Sequence, residues 1–238
     1  MNQELIRIDL GGVNCYLCKR NNSYVLFDTG GSLIMDKGQN NRRQELIYQL
    51  EQAGCYPGSL KAIILTHGDV DHTMNAAYLR DHYQTIIVMH KEDTNLTQNL
   101  TVDKMLSSFQ FKSLILKLFF LVMQKTIKKV SENTLKNYES FYPNELIEDG
   151  ESLLQYGYEG EVIHLPGHTP GSIGILSQDG ILIAGDIFSN TKKPITAINA
   201  DNFKQLKESI QKLKSKHITT IYPGHGEPFQ ANRLGFRN

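Results

Sequence analysis

The most informative part of the sequence is the stretch Thr66-His67-Gly68-Asp69-Val70-Asp71-His72. It directly follows Ala62–Leu65, an apolar run typical of a buried strand. Two imidazoles and two carboxylates this close together are unsuited to a core, because buried like charges are costly unless a cation compensates them. A pair of divalent metal ions would supply that compensation. The alternative is a solvated polar loop ahead of a helix.

Three later segments share one design, in which an apolar run ends, a glycine turns the chain and a side chain able to bind metal follows. The side chains are His168 after Val162–Leu165, Asp186 after Ile181–Ala184, and His225 after Thr219–Tyr222. Strand ends at one edge of a sheet can converge on one point. The candidate metal ligands are His67, Asp69, Asp71, His72, His168, Asp186 and His225, enough for two metal ions.

The rest of the chain mixes short strand-like runs with amphipathic helices, which indicates a layered α/β sandwich. Strands are predicted at residues 4–10, 13–19, 23–28, 62–65, 85–89, 161–165, 173–176, 181–184 and 219–222. Helices are predicted at residues 42–53, 74–83 and 203–214, with Asp201 as the N-cap of the last one. We expect residues 1–238 to form a single domain.

The order of the motifs resembles that of the metallo-β-lactamase superfamily. The motifs are T-H-x-x-x-D-H from Thr66, P-G-H-T-P-G-S from Pro166, Gly185-Asp186, and P-G-H-G from Pro223, with Asp28-Thr29-Gly30 after an early strand. They run from residue 28 to 226 and cover nearly the whole chain. The resemblance implies an αββα sandwich, in which two mixed β-sheets are flanked by helices and the metals lie at the edge between the sheets.

Carried over position by position, the resemblance gives each side chain a role. His67 and His168 would serve one metal, Asp71, His72 and His225 would serve the other, and Asp186 would bridge them. Asp71 would also orient the nucleophile, as the catalytic residue. The family pattern is H-x-H-x-D-H, and this chain has Asp69 at the second histidine.

The change to aspartate makes the cluster less positive and its ligands harder, which favours manganese or iron over zinc. The diiron flavoproteins and competence-type nucleases of the superfamily also resemble this chain in having an acidic residue there. We therefore expect Asp69 to be a ligand, with a vacant or weak first site as the alternative. Two divalent ions are expected, zinc first, with manganese or iron as alternatives.

The expected function is hydrolysis of an ester, thioester or lactone by a metal-bound hydroxide. The sequence Thr169-Pro170-Gly171-Ser172 after His168 resembles the glyoxalase-II-like and lactonase-like branches. The main rival is a non-haem iron redox enzyme that resembles the persulfide dioxygenases and uses His67, His168 and Asp186. A nuclease or phosphodiesterase and a binding module with a degenerate site are further alternatives.

Residues 95–142 are expected to form a helical insertion in the domain. Its stretch Phe109–Met123 is apolar nearly all the way round and needs a cover. The insertion could simply pack on the domain, form a homodimer, or close as a lid over a substrate with an apolar group. Its lysines leave a role at a membrane surface as a weaker alternative.

Composition and charge limit the kinds of partner and the cellular location that we expect for the protein. The chain has 25 basic and 25 acidic residues, so no global field attracts nucleic acid. A secretory signal is not expected, and the sequence has no apolar stretch of the roughly 20 residues that a transmembrane helix needs. With three cysteines a disulfide framework is not expected, and the protein is predicted to be cytoplasmic. The other histidines are expected to be structural, although His90 and His164 could each hold the ring of a ligand.

Overall fold

The computed structural model describes residues 3–33, 41–107 and 110–236, and it contains two six-stranded sheets. The first sheet has β1 (Glu4–Asp9), β2 (Asn14–Arg20), β3 (Ser23–Phe27), β4 (Leu60–Ile64), β5 (Ile86–His90) and β6 (Glu145–Ile147), in that order. The second has β7 (Gly160–His164), β8 (Ile173–Ser177), β9 (Ile181–Asn190), β10 (Ile195–Thr196), β11 (Thr220–Gly226) and β12 (Phe229–Gln230). Its order is β12-β11-β9-β8-β7, and β10 pairs with β9.

Both sheets are mixed, as the sequence predicts. Strands β1 to β3 are antiparallel neighbours, whereas β3, β4, β5 and β6 run parallel. In the second sheet β7, β8 and β9 are antiparallel, and β11 runs parallel to β9. The parallel strands end at the same edge of their sheet, and this places the residues that follow them close together.

The helices are α1 (Arg42–Gln52), α2 (Val70–Thr73), α3 (Ala76–Tyr83), α4 (Thr94–Gln98), α5 (Val102–Ser107), α6 (Leu114–Lys136) and α7 (Phe203–Leu213). Strand side chains alternate between faces, so β4 serves two cores. Ala62 and Ile64 face the second sheet, and Ile63 packs towards α1 and α3. On the far side, α7 covers the second sheet through Leu206 and Leu213. These layers confirm the predicted αββα sandwich.

Several predicted elements differ from the observed ones. The helix predicted at residues 74–83 is preceded by a separate short helix, α2, which carries two of the predicted ligands. Strands β9 and β11 extend beyond their predicted ends, so Asp186 and His225 lie within strands and not after them. The N-cap of α7 is Asn202, whose side chain accepts the backbone N–H groups of Lys204 and Gln205. The prediction of Asp201 as this N-cap is therefore wrong.

Helices α4, α5 and α6 lie between β5 and β6, in the region expected to be an insertion. Ile127, Ser131 and Thr134 of α6 are buried, whereas much of its amino-terminal half is exposed. Phe109, the first residue of the predicted apolar stretch, lies outside the described residues. In the described part of the chain, no helix is both long and apolar enough to cross a membrane.

Candidate metal centre

The loop after β4 and the short helix α2 supply four of the seven predicted ligands. His67 is buried in the loop, and Asp69 is the N-cap residue of α2. The Asp69 carbonyl accepts the backbone N–H groups of His72 and Thr73 and starts the helix, while the Asp69 carboxylate points elsewhere, to His168. Asp71 and His72 follow within α2.

The second sheet and the loop between β7 and β8 supply Asp186, His225 and His168. The backbone at Gly185 has a φ of +49°, and the pairing of β9 with β11 shifts register beside it. Gly224 lies directly against Asp186, because a Cβ atom there would sit 2.1 Å from Asp186 Oδ1 and 2.7 Å from His72 Cε1. Glycine at position 224 thus lets two strands and α2 approach closely enough for their side chains to meet.

The structure brings all seven predicted residues together in two adjoining groups. One group is His67, Asp69 and His168, and the other is Asp71, His72, Asp186 and His225. Within each group one candidate ligand atom from every residue lies within 4.8 Å of the others. Asp186 reaches both groups, since its Oδ2 lies 3.0 Å from His225 Nε2 and 3.7 Å from His168 Nε2. That position suits a bridging carboxylate.

Hydrogen bonds fix the orientation of the His168 and His225 rings. Nδ1 of His168 lies 3.2 Å from the carbonyl oxygen of Asn199, and Nδ1 of His225 lies 2.5 Å from that of Gly12. A carbonyl oxygen can only accept, so Nδ1 must carry the proton in both rings. In the neutral ring Nε2 then holds a lone pair, and in both residues Nε2 points to the carboxylates of the site.

Asp28 fixes the other two rings. Its Oδ2 accepts Nδ1–H of His72 at 2.8 Å and the hydroxyl of Thr66 at 2.8 Å. Because the Thr66 proton is used on Asp28, its oxygen accepts from Nδ1 of His67, 3.0 Å away. Asp28 has a φ of +59°, which the short polar side chains of Asn and Asp tolerate better than most. All four imidazoles therefore present Nε2 lone pairs to the same space.

Unpartnered buried atoms test whether metal ions fit this space. Within the described part of the chain, His67 Nε2, His72 Nε2 and Asp186 Oδ1 are buried and have no hydrogen-bond partner. His72 Nε2 and Asp186 Oδ1 are both acceptors, and they face each other at 3.3 Å. Such an arrangement is repulsive unless a cation lies between the atoms. The donor set of imidazole nitrogens and carboxylates suits divalent ions.

The carboxylates of the site also change the affinity of the rings for protons. Burial, aided by His72, lowers the pKa of His67 to about 4. Burial acts on His168 in the same direction, but Asp69 and Asp186 outweigh it and raise the pKa of that ring to about 9. Metal ions and protons therefore compete for the same nitrogen atoms.

Asp93 is a buried residue of the site that the sequence analysis missed. Its Oδ2 accepts the backbone N–H of Gly68 at 2.8 Å and the Thr169 hydroxyl at 2.6 Å. Its Oδ1 accepts the N–H of Gly171 at 2.6 Å. Burial raises the pKa of Asp93 to about 6, against these hydrogen bonds. Asp93 thus joins the loop of His67 to the loop of His168, and its position just after β5 is the signal that could have revealed it.

His90 and His164 do not hold the ring of a predicted ligand, because all four rings have other partners at Nδ1. Instead their own rings stack on each other, with centroids 4.0 Å apart and planes 15° apart. His164 Nε2 lies 2.9 Å from the carbonyl oxygen of Pro170, in the loop that carries His168.

A cavity of about 380 Å³ opens beside the two groups. Its polar lining includes Asp69, Asp71, Asp186 and His225, and its apolar lining includes Leu33, Leu96, Leu100, Met105 and Ile198. Phe119 and Leu121 of α6 are exposed, and Phe120 lines a separate cavity with Phe111 and Phe203. Of the insertion expected at residues 95–142, the segment from α4 to α5 lines the cavity beside the two groups, and the lid stays a prediction for that segment.

Comparison with known proteins assigns the family. The family model of the metallo-β-lactamase superfamily matches residues 8–225, and the chain belongs to this superfamily. Hydroxyacylglutathione hydrolase GloC of Haemophilus influenzae is 28% identical over 230 residues, which are 95% of this chain and 91% of that protein. A probable metallo-hydrolase of Methanocaldococcus jannaschii is 29% identical over 215 residues, 87% of each chain.

Solved structures agree on the fold. The B3 metallo-β-lactamase BLEG-1 superposes with a TM-score of 0.68 at 22% identity and covers 99% of this chain and 98% of its own. TTHA1623 in a di-iron-bound form gives a TM-score of 0.60 at 22% identity, over 95% of this chain and 94% of its own. Members of the superfamily bind divalent metal ions, and this chain carries two groups of candidate ligands for them.

Proposed function

We propose that the protein is a metal-dependent hydrolase of a small ester, thioester or lactone. One observation carries the proposal: Asp186 lies between two groups of inward-facing Nε2 atoms, at the polar side of a partly apolar cavity. All seven predicted ligands would hold two divalent ions. Zinc suits the imidazoles, whereas Asp69 makes manganese or iron an alternative.

The proposed substrate has a carbonyl at the polar side of the cavity and an apolar group at the other. The similarity to hydroxyacylglutathione hydrolase GloC supports a thioester in particular. Leu96, Leu100 and Met105 would contact the apolar group and exclude water around it. The described cavity is small and partly apolar, which suits a small molecule better than nucleic acid.

Bound divalent ions would supply Lewis acidity, which lowers the pKa of a water and polarises a carbonyl. Asp71 lines the cavity, and its Oδ2 lies 3.3 Å from His225 Nε2. Its carboxylate can accept a hydrogen bond from the attacking water, which orients the lone pair of that water towards the carbonyl carbon. Asp28, the Thr66 hydroxyl and two backbone carbonyls keep the four rings from rotating, so the polar side of the cavity is preorganised.

The test uses the full chain, stripped with a chelator and reloaded with zinc, manganese or ferrous iron. Lactoylglutathione, acyl-coenzyme A thioesters, p-nitrophenyl esters and acyl lactones serve as substrates. We expect hydrolysis that requires metal and that falls by at least about 100-fold in Asp71→Asn, the loss typical of a removed acid–base group.

Two further substrates separate the alternatives. The ligand set of the rival, His67 and His168 with the Asp186 carboxylate, is two imidazoles and one carboxylate, as in non-haem iron enzymes, and Asp69 lies with the same two rings. Oxygen consumption with a glutathione persulfide, without hydrolysis of any carbonyl substrate, would favour that redox chemistry. Cleavage of bis(p-nitrophenyl) phosphate alone would favour a phosphodiesterase.

A further inference from the structure

The exposed apolar side chains of the protein are concentrated on one helix. Of the twelve exposed large apolar residues among those described, six lie within residues 114–122 of α6. They are Leu114, Ile115, Leu118, Phe119, Leu121 and Val122, with between 49% and 81% of their surface exposed. Single exposed apolar residues are normal on a protein surface, but a contiguous patch indicates a binding surface.

Leu114, Leu118 and Val122 lie on the side of α6 away from the face that packs on the domain. Leu118 and the buried Ile127 are nine residues apart, which is about 2.5 helical turns and puts them on opposite sides of the helix. The helix is therefore anchored through its inner face. Its outer face is apolar although these side chains do not pack in the core of the protein.

Lysines follow the apolar patch along the same side of α6. Lys125 and Lys129 follow Leu118 and Val122 by seven residues, which returns the chain to nearly the same side of the helix. Residues 112–136 contain six lysines and one acidic residue, Glu132, a net charge of 6 − 1 = +5 in a chain whose formal net charge is zero. All six lysines are exposed. The outer face thus combines an apolar patch with Lys125 and Lys129, whereas Lys112 lies over the ring of Phe203.

We propose that the outer face of α6 docks on an anionic lipid bilayer. An amphipathic helix that combines Leu and Phe with Lys lies in the membrane interface, with the apolar side chains among the acyl chains and the ammonium groups near the lipid phosphates. The helix lies on the membrane and does not cross it, in agreement with its charge and its buried inner face. The proposal does not depend on the hydrolytic function.

The positive charge of α6 argues against a second copy of the chain as the partner that covers the outer face. Two outer faces pressed together would bring Lys125 and Lys129 of both copies close to each other, within two segments that each carry a net charge of +5, and like charges at an interface oppose association. An anionic bilayer offers the opposite sign and an apolar interior to the same surface. Both features of the outer face are thereby satisfied at once.

The experiment is co-sedimentation of the full-length protein with vesicles of phosphatidylcholine alone or of phosphatidylcholine with one quarter phosphatidylglycerol. We expect binding to the anionic vesicles and a sharp loss of binding in high salt. Lys125→Gln/Lys129→Gln should weaken partitioning by roughly 30-fold, about fivefold for each lysine. Leu118→Gln/Val122→Gln should weaken it at least about tenfold.

Controls keep the result specific. Lys207→Gln/Lys214→Gln, the α7 pair, removes one exposed lysine from α7 and one from the residue directly after its end, and should bind like the wild type. Thermal unfolding checks that each variant folds, and the lysine pair serves as the test if the apolar pair does not fold. The proposal is overturned if the wild type ignores anionic vesicles or if the α7 pair loses as much binding as the α6 lysine pair. It is equally overturned if sedimentation shows a dimer that Leu118→Gln/Val122→Gln dissociates while vesicle binding stays absent.

Discussion

Nε2 of His168 lies 3.1 Å from Oδ2 of Asp69. Nε2 of His67 approaches the same oxygen atom at 3.8 Å. Because Nδ1 of His168 donates to Asn199, a neutral His168 ring would turn a lone pair towards this carboxylate. The contact is attractive only with a cation, either a proton on the ring or a metal ion shared by the three side chains. Aspartate thus occupies the place where the family motif has its second histidine.

Replacing Asp69 with histidine should raise the affinity for zinc. The substitution exchanges a hard oxygen donor for a borderline nitrogen donor, and we expect about a tenfold gain, together with a weaker preference for manganese. Competition of each protein with a chromophoric chelator measures both affinities, and Asp69→Asn serves as the control that removes charge without adding imidazole. Weaker zinc binding in Asp69→His would mean that the pocket is shaped around the carboxylate.

Asp186→Ala should lower the amount of bound metal per protein more than Asp69→Ala does. Asp186 contacts His72, His168 and His225, whereas the contacts of Asp69 lie within one group. We expect Asp186→Ala to lose most of the ions at both positions and Asp69→Ala to lose mainly one. Metal analysis after dialysis against a weak chelator gives the stoichiometry of each variant. Equal losses would show that Asp186 does not bridge the groups.

The sequence predicts the ligand positions better than their supporting contacts. His67 and Asp186 stand out because each metal-capable side chain comes just after an apolar run, and because their motifs resemble one family. Asp93 carries a weaker signal: it lies three residues beyond the end of β5, but no motif marks it, and only the packing shows that two loops meet on it. The orientation of α6 on the domain could not be predicted from the sequence either, because a helix that is apolar on every side does not indicate which side packs.

Asp93→Asn should weaken one metal position and leave the other. The amide keeps the shape, but its NH₂ group would face the N–H of Gly171 or that of Gly68, so at least one hydrogen bond is lost. Loss of such a supporting contact typically lowers metal affinity by about 10–100-fold. Zinc titration should show one weakened site beside one of wild-type affinity.

Asp28→Asn provides the matched comparison, because Asp28 supports His72 and, through Thr66, His67. It should weaken the site of His72, and the two variants should differ in which position loses zinc. If Asp93→Asn weakens both positions equally, Asp93 stabilises the whole domain and not the His67–His168 pair of loops.

The stack of His90 on His164 should make the fold sensitive to mild acid. Burial, with His164 adding to it, lowers the pKa of His90 to about 4, whereas an exposed histidine in the unfolded chain titrates near about 6.5. As the pH falls from about 6.5 towards 4, the unfolded chain takes up a proton that the folded one does not, so the free energy of unfolding decreases. Above about pH 6.5 His90 contributes no pH dependence.

Urea unfolding at pH 7.5 and pH 5.0 measures this contribution. At pH 5.0 His90 should account for up to about 2 kcal/mol of lost stability. His90→Asn keeps an acceptor for the backbone N–H of Glu92 and removes the titration, so the variant should lose that much less stability than the wild type over the same interval. The same pH dependence in both proteins would contradict the assignment to His90.

Substrates with longer acyl chains should react faster until the cavity beside the metal centre is filled. Each methylene buried against Leu96, Leu100 and Met105 adds about 0.8 kcal/mol of binding, which is roughly a fourfold rise in kcat/KM when the transition state keeps the contact. A series of p-nitrophenyl esters from acetate to decanoate measures the slope of log kcat/KM against chain length.

Met105→Ala should flatten this slope, because the truncated side chain leaves part of the acyl chain without a partner. Phe120→Ala is the matched control, since Phe120 lines a different cavity and its truncation should leave the slope unchanged. If the rates of the wild type do not change with chain length, the cavity does not bind an acyl group. If both variants flatten the slope equally, α6 also contacts the acyl chain, as a lid would.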